Sequence, residues 1–438
     1  MPLAGPSSPP AGADIGKPTI LHLGDPIVHD LEFYSRLQSQ FEFIKPSLSD
    51  LQRPTFIKHL RERTWGNFSA IMRPFWNTGG EMGKWDSEII ELLPKTVKVY
   101  ASAGAGYDWV DTHALAKHGI LYCNARGAST EAVSDTALFY IISVFRNMTI
   151  SQLSARSLNP NTFNEAHFDL PLTSHNPRNH NLGIIGLGDI GFAIAKKVHV
   201  ALGMKILYND IERKALSQEQ QVDAVFYPNL EEMLGQSDCV LVATPFSGQT
   251  LITASLLEKF KPGSRLVNIA RGSLVDENAL ADALDRGHLS GAGLDVHANE
   301  PHVNERLANN WKVGMTSHTG GGALETWIQF EKLAMENVER VLTGREALTG
   351  VNGHLIKRAE NDAVLVNGHS DHDEAHNTGN QSPSPIAQVN GDHQPGSHRS
   401  DIFDPRQHSN GISGDAGVSI TQQLDGNMHR PTGIMGGV

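Results

Sequence analysis

The stretch from Leu182 to Asp210 leaves this chain few architectures to choose from. It opens on an apolar run, Leu182-Gly183-Ile184-Ile185, which reads as a buried parallel strand. The turn that follows, Gly186-Leu187-Gly188-Asp189-Ile190-Gly191, has the spacing G-x-G-x-x-G. Ile190, Ala193, Ile194 and Val198 then recur at helical spacing, and Lys205 to Tyr208 resumes a strand that leads to Asp210, 19 residues beyond Gly191. Glycine lets the backbone turn sharply and approach a pyrophosphate, which rests on the partial positive charge of a helix N-terminus. Glycine turns also link strands to helices in folds that bind nothing, but here the strand before, the helix after and the distal acid all agree. Asp210 is placed to hold an adenosine ribose by its 2′-hydroxyl, and its charge would repel a 2′-phosphate. The stretch therefore predicts a dinucleotide site that favours NAD over NADP, with Arg213 the one feature able to soften the preference.

At 438 residues the chain is long enough for two domains of ordinary size and unstructured ends. Its net charge of −12 offers no basic surface, so neither nucleic acid nor anionic membrane is an expected partner. Cys123 and Cys239 stand far apart in apolar runs, which argues against a disulfide framework and fits a reducing compartment. No apolar run approaches the ~20 residues of a spanning helix. The first residues lack the basic and apolar regions of a signal peptide, and Met435-Gly436-Gly437-Val438 is not a peroxisomal address. A soluble, cytoplasmic protein is the expectation.

In chain order, residues 1–17 read as disordered. Thr19–Leu23, Phe41–Ile44, Ala70–Met72, Val97–Ala101 and Leu121–Cys123 are short apolar runs separated by helix-compatible segments such as Asp30–Gln40 and Asp86–Leu93. That alternation predicts an α/β domain with a parallel sheet, complete before the glycine-rich turn begins. After one of these strands, Ser102-Ala103-Gly104-Ala105-Gly106-Tyr107-Asp108 is either a tight turn or a set of backbone N–H groups facing an anion. Glu131–Arg146 carries an apolar stripe at Val133, Ala137, Tyr140, Ile141 and Val144, a long helix connecting the two domains. Strands at Asp238–Ala243 (running into Thr244-Pro245), Leu266–Ala270, Gly291–Val296 and Val313–Thr316 complete a doubly wound sheet. Leu324–Leu342 is an amphipathic helix that would cross back onto the first domain. From 353 to 438 the composition turns to Gly, Asn, Ser, Asp, His and Pro without periodicity, a disordered tail whose irregularly spaced histidines make no metal site.

Chemistry concentrates at strand ends of the second domain. Arg271-Gly272 follows one, His297-Ala298-Asn299-Glu300-Pro301 the next, and Ser317-His318-Thr319-Gly320-Gly321 the last, all at the sheet edge where a dinucleotide would lie. Reduction of a 2-keto acid needs this set. Arginine grips a carboxylate bidentately and polarises the neighbouring carbonyl. A histidine donates a proton to the carbonyl oxygen as hydride arrives, and a paired glutamate favours its charged form. A single Arg, Glu or His at a strand end is more often a solvated surface residue; their joint placement carries the argument.

Gly186 to Gly191, Asn268-Ile269-Ala270-Arg271-Gly272, Gly293-Leu294-Asp295-Val296 running to Glu300-Pro301, and Ser317-His318-Thr319-Gly320 together resemble the D-isomer-specific 2-hydroxyacid dehydrogenase family over residues 97–345. The spacings, 29 residues from Arg271 to Glu300 and 18 on to His318, resemble its glycerate dehydrogenase and glyoxylate/hydroxypyruvate reductase branch. The resemblance implies a Rossmann domain over 126–325 inserted into a flavodoxin-like substrate domain of 18–125 joined by 326–352. It implies that Arg271 binds substrate, that Glu300 and His318 are the acid/base pair, and that backbone at Ala103 and Gly104 holds the substrate carboxylate. Gly186, Gly188, Asp189, Ile190, Gly191, Asp210, Thr244, Ala270, Asp295 and Gly320 would contact NAD, with Asp295 near the nicotinamide amide. It further implies an (R)-2-hydroxy acid product and a homodimer built on the nucleotide domain.

The chain departs from the family in having Val133-Ser134-Asp135 where Val-Ala-Glu is common, which bears on interdomain packing. Phe75-Trp76 lies close to the family's side-chain pocket, either lining it for a larger 2-keto acid, as in the fungal mandelate-dehydrogenase-like branch, or packing in the core. The tail raises one alternative function, an NADH-sensing scaffold like the C-terminal-binding-protein corepressors. A formate dehydrogenase is disfavoured, because that branch has glutamine where Glu300 stands.

Overall fold

Short aliphatic runs without alternation suit strands covered on both faces, the condition of a parallel sheet flanked by helices. The computed structural model describes residues 16–75 and 82–358. In the N-terminal part β1 (Thr19–His22), β2 (Glu42–Ile44), β3 (Ala70–Arg73), β4 (Val99–Ser102) and β5 (Leu121–Cys123) pair in parallel in the order β2-β1-β3-β4-β5. This is the flavodoxin-like order.

The second sheet is parallel too. It comprises β6 (Asn181–Ile185), β7 (Lys205–Asn209), β8 (Val225–Phe226), β9 (Cys239–Val242), β10 (Ser264–Asn268), β11 (Leu289–Leu294) and β12 (Val313–Met315), in the order β12-β11-β10-β9-β6-β7-β8. The winding reverses between β6 and β9, and the crevice at their C-terminal ends is where a doubly wound sheet takes a ligand.

Two long helices tie the architecture together. Thr130–Phe145 buries the expected stripe of Val133, Ala137, Tyr140, Ile141 and Val144 against the helix Asp189–Leu202 and β11. Tyr140 fits only because Gly293 is bare, since a Cβ there would lie 2.6 Å from the ring. Ser134 and Asp135, the departures from the family pattern, are accommodated: the Ser134 hydroxyl donates to Glu131 O at 2.9 Å and Lys197 donates to Asp135 at 2.6 Å. Leu324–Leu342 returns to the first sheet and packs on β3 and β4 through Ala334, Met335 and Val338. On the same helix the fully buried Glu331 accepts the N–H groups of Val28, His29 and Asp30 at 2.9, 2.9 and 3.2 Å, joining segments some 300 residues apart in sequence.

Three features differ from the sequence reading. The helices Met148–Arg156 and Pro160–Thr173 were not anticipated, because Pro160–Thr173 buries no residue and so shows no apolar stripe. Strand β8 is only 2 residues long, below what an apolar run can signal. Residues 353–358, expected to begin the tail, instead form a helical turn in which the Leu355 N–H donates to Asn352 O at 3.0 Å. The remainder of that tail, on which the scaffold alternative rests, and residues 1–15 lie outside the described residues.

Replacing Glu331 with Ala would remove the shared acceptor of three amides. It is expected to lower the unfolding free energy by roughly 3 kcal/mol in chemical denaturation, with Glu331→Gln losing less because one acceptor remains.

Candidate active site

The glycine turn after β6 divides its work by geometry. Gly186 has φ of 93° and sits where a Cβ would come within 2.9 Å of Ala243 O, while a Cβ on Gly191 would meet Gly186 O at 2.2 Å. A Cβ on Gly188 would meet nothing within 4 Å, so the outer face of the turn is open. The helix Asp189–Leu202 begins there, with the orphan N–H groups of its first turn at the open face. The Asp189 carboxylate is engaged sideways, bound by Arg126 with one contact at 3.0 Å, so the backbone of Asp189 and Ile190 is what this turn offers a phosphate.

Asp210, just past β7, accepts the N–H groups of Leu187 and Ile211 at 2.8 Å each and pairs with Lys214 at 2.9 Å. Partial burial pushes its carboxyl up, but Lys214 and those amides outweigh burial and hold it below the usual carboxylate range. An ionised acid beside the turn, a bare Gly188 and a helix N-terminus fit an adenosine dinucleotide. Thr244 and Ala270 sit just beyond β9 and β10 at the same sheet edge.

A cavity of about 640 Å³ opens between this edge and the first sheet, lined among others by Ala103, Gly104, Ile190, Arg271, Asp295 and His318. Arg271 is fixed on two sides: its Nε donates to Asp108 at 3.0 Å and its Nη1 to Ala270 O at 2.8 Å. The guanidinium lies against Gly106, where a Cβ would fall 1.5 Å from Nη2. Sequence reasoning missed Asp108, which carries no motif that marks it as the arginine's partner.

His318 Nδ1 lies 2.8 Å from Glu300 Oε2, and the other Glu300 oxygen accepts the His297 N–H at 2.9 Å. Partial burial pushes the Glu300 carboxyl up, but these hydrogen bonds and the adjacent imidazoles prevail and hold it below the usual range. Asp295, 2 % exposed, accepts the Thr316 hydroxyl at 2.6 Å and the N–H groups of Thr319 at 3.0 Å and Gly320 at 2.9 Å. Its carboxylate therefore organises the loop carrying His318, besides lining the cavity.

Contacts at two further positions bear on the walls of the cavity. The Ala103 N–H donates to Arg73 O at 2.8 Å and continues the sheet, so Ala103 lines the cavity without an amide to give a carboxylate. Phe75 is buried against Trp327, with ring centroids 5.1 Å apart, and the described aromatic residues lining the cavity are Trp109 and Phe330. Trp76 lies outside the described residues.

A doubly wound dinucleotide domain facing a smaller α/β domain, with an arginine and a carboxylate–histidine pair in the cleft between them, defines a nicotinamide-dependent dehydrogenase. Residues 138–320 match the family model described as the D-isomer specific 2-hydroxyacid dehydrogenase NAD binding domain. The chain is 33% identical to 4-methyl-2-oxopentanoate reductase A of Aspergillus oryzae over 68% of its length and 87% of that protein's. It is 34% identical to the glyoxylate reductase of Pyrococcus horikoshii, covering 62% of this chain and 81% of that one. The crystal structure of Rhodotorula graminis D-mandelate dehydrogenase superposes with a TM-score of 0.74 at 41% identity, over 77% of this chain and 98% of that one. The protein belongs to the D-isomer-specific 2-hydroxyacid dehydrogenase family. Among the described residues no helix is long and apolar enough to cross a membrane.

Gly106→Ala separates site from fold. The added methyl meets only the far end of a flexible side chain, so the stability change should stay within about 1 kcal/mol. Displacing the guanidinium by that much should cost on the order of 100-fold in kcat/KM for a keto acid. Steady-state kinetics beside a melting curve check both.

Proposed function

We propose that this protein reduces a 2-keto acid to the (R)-2-hydroxy acid with NADH, and catalyses the reverse. The observation that carries the reading is the convergence of Arg271 and the His318–Glu300 pair on one cavity beside an open dinucleotide turn. A bound nicotinamide supplies the hydride. Arg271, held through Nε and one Nη1 hydrogen, keeps its remaining N–H groups for the substrate carboxylate and the carbonyl next to it. Gly104 contributes backbone on the opposite wall. His318, oriented by the ionised Glu300 on Nδ1, presents Nε2 as the proton donor to the carbonyl oxygen. Trp109, Val133, Ile269 and Phe330 exclude water around the reacting atoms.

Those apolar walls favour a branched or aromatic 2-keto acid over glyoxylate or hydroxypyruvate, in keeping with the likeness to the 4-methyl-2-oxopentanoate and mandelate enzymes. NAD is favoured over NADP by the ionised Asp210. The protein acts as a cytoplasmic homodimer, a reading supported by two free buried cysteines and by Phe163, Phe168 and Leu172, which are 52, 67 and 83% exposed on the helix Pro160–Thr173 of the nucleotide domain.

Purified protein should oxidise NADH with 4-methyl-2-oxopentanoate or phenylglyoxylate faster than with glyoxylate or hydroxypyruvate, followed by absorbance. No oxidation across that panel overturns the reading. His318→Ala should lower turnover by roughly 100-fold or more while leaving NADH fluorescence titration unchanged. Because Glu300 is held below its ordinary range, its ionised form survives acidification past that range, and the loss of reductase activity through Glu300 should appear only at lower pH. A pH profile of kcat/KM tests this; an acid limb at the ordinary carboxylate value speaks against the pairing.

A further inference from the structure

Beyond Asp210 the chain reads Ile211-Glu212-Arg213-Lys214, which brings two cations to the edge of the adenosine ribose site. Each is already held by an acid. Lys214 pairs with Asp210 at 2.9 Å. Arg213 is gripped side-on by Glu219, Nε to Oε1 and Nη2 to Oε2, both at 2.9 Å. The Glu219 side chain is 7% exposed and the Arg213 side chain 58% exposed, so the carboxylate is the fixed member and the guanidinium the one drawn down onto it. Tyr208, in β7, completes the clamp: its hydroxyl donates to Glu219 Oε1 at 2.7 Å and accepts the Lys214 N–H at 2.9 Å.

We propose that Glu219 is a specificity-determining residue for the cofactor, acting as a positioning residue that withholds Arg213 from the ribose 2′-position. An arginine near the end of this strand is the usual partner of a 2′-phosphate, and a bidentate carboxylate competes for the same N–H groups. Asp210 repels the phosphate directly; Glu219 removes the cation that would offset that repulsion. Discrimination is therefore built in two layers, and the second lies outside the dinucleotide turn. The proposal rests on the NAD-preferring reading above and extends it.

The test uses the full-length protein with its best keto acid, NADH and NADPH. Glu219→Gln keeps the size of the side chain and an acceptor for Tyr208 but gives up the ion pair. In that variant kcat/KM for NADPH relative to NADH should rise roughly tenfold, through a lower KM for NADPH at unchanged kcat. The gain should vanish in Glu219→Gln/Arg213→Ala. Inhibition by 2′,5′-ADP should strengthen in Glu219→Gln and not in the double variant. Arg213→Ala alone, an exposed change that does not depend on Glu219→Gln folding, should leave the ratio as in wild type. The inference is overturned if the ratio does not move in a folded Glu219→Gln, if its rise survives loss of Arg213, or if Arg213→Ala alone weakens NADPH use. The wild-type ratio judges the NAD reading separately, since a preference for NADPH there counts against that reading and the variant shifts judge the clamp.

Discussion

The carboxylate of Asp295 accepts a hydroxyl and two amides from the loop after β12, and the geometry of the whole cleft follows from that attachment. His318 adopts a left-handed backbone conformation, φ 55°, with its N–H on Asp295 O at 2.8 Å. Such a conformation in a non-glycine residue persists where its surroundings over-determine it. Thr316 is held again by Tyr140 at 2.7 Å, and Thr136 donates to Gly320 O at 3.2 Å, so the loop is anchored to the long helix Thr130–Phe145 as well as to β11. Gly320 must be glycine there, since its Cβ would stand 2.4 Å from the Asp295 carboxylate. The imidazole is thus presented by a rigid frame, which lets a single hydrogen bond to Glu300 define its orientation.

Four cations around the cleft and the dinucleotide turn are each paired with an acid. Arg271 of the nucleotide sheet is held by Asp108 from the loop after β4, an ion pair that spans the cleft. Its contribution is positional, because a half-exposed pair adds little stability. Glu300 does the same for His318, Asp210 for Lys214 and Glu219 for Arg213. The site is electrostatically preorganised by carboxylates, of which Asp108, Glu300 and Glu219 act by holding the cation beside them.

Strand segments and the glycine turn were legible in the sequence because both rest on local rules. Aliphatic runs of a few residues between turn signals mark parallel strands, and the spacing of Gly186, Gly188 and Gly191 reflects a backbone requirement that other residues cannot meet. Arg271, Glu300 and His318 could be singled out because each lies in the segment that follows a strand and all three strands run the same way. The helix Pro160–Thr173 escaped notice for the opposite reason, as a helix with no buried face leaves no periodic trace. That the Ala103 N–H is taken by Arg73 O was likewise not legible, because hydrogen-bond partners across a sheet edge are not written in spacing.

The sequence alone determined the fold class, the dinucleotide turn and the residue types of the reaction, since these depend on periodicity, glycine geometry and strand-end placement. Only the tertiary structure decided which partner each group takes. It put Asp108 on Arg271, Glu219 on Arg213 and Glu331 on the amides of residues 28–30. The last two illustrate the range: one pair is 6 residues apart, the other about 300, and neither follows from the chain because hydrogen bonding is satisfied in space, by whatever group the packing brings within reach.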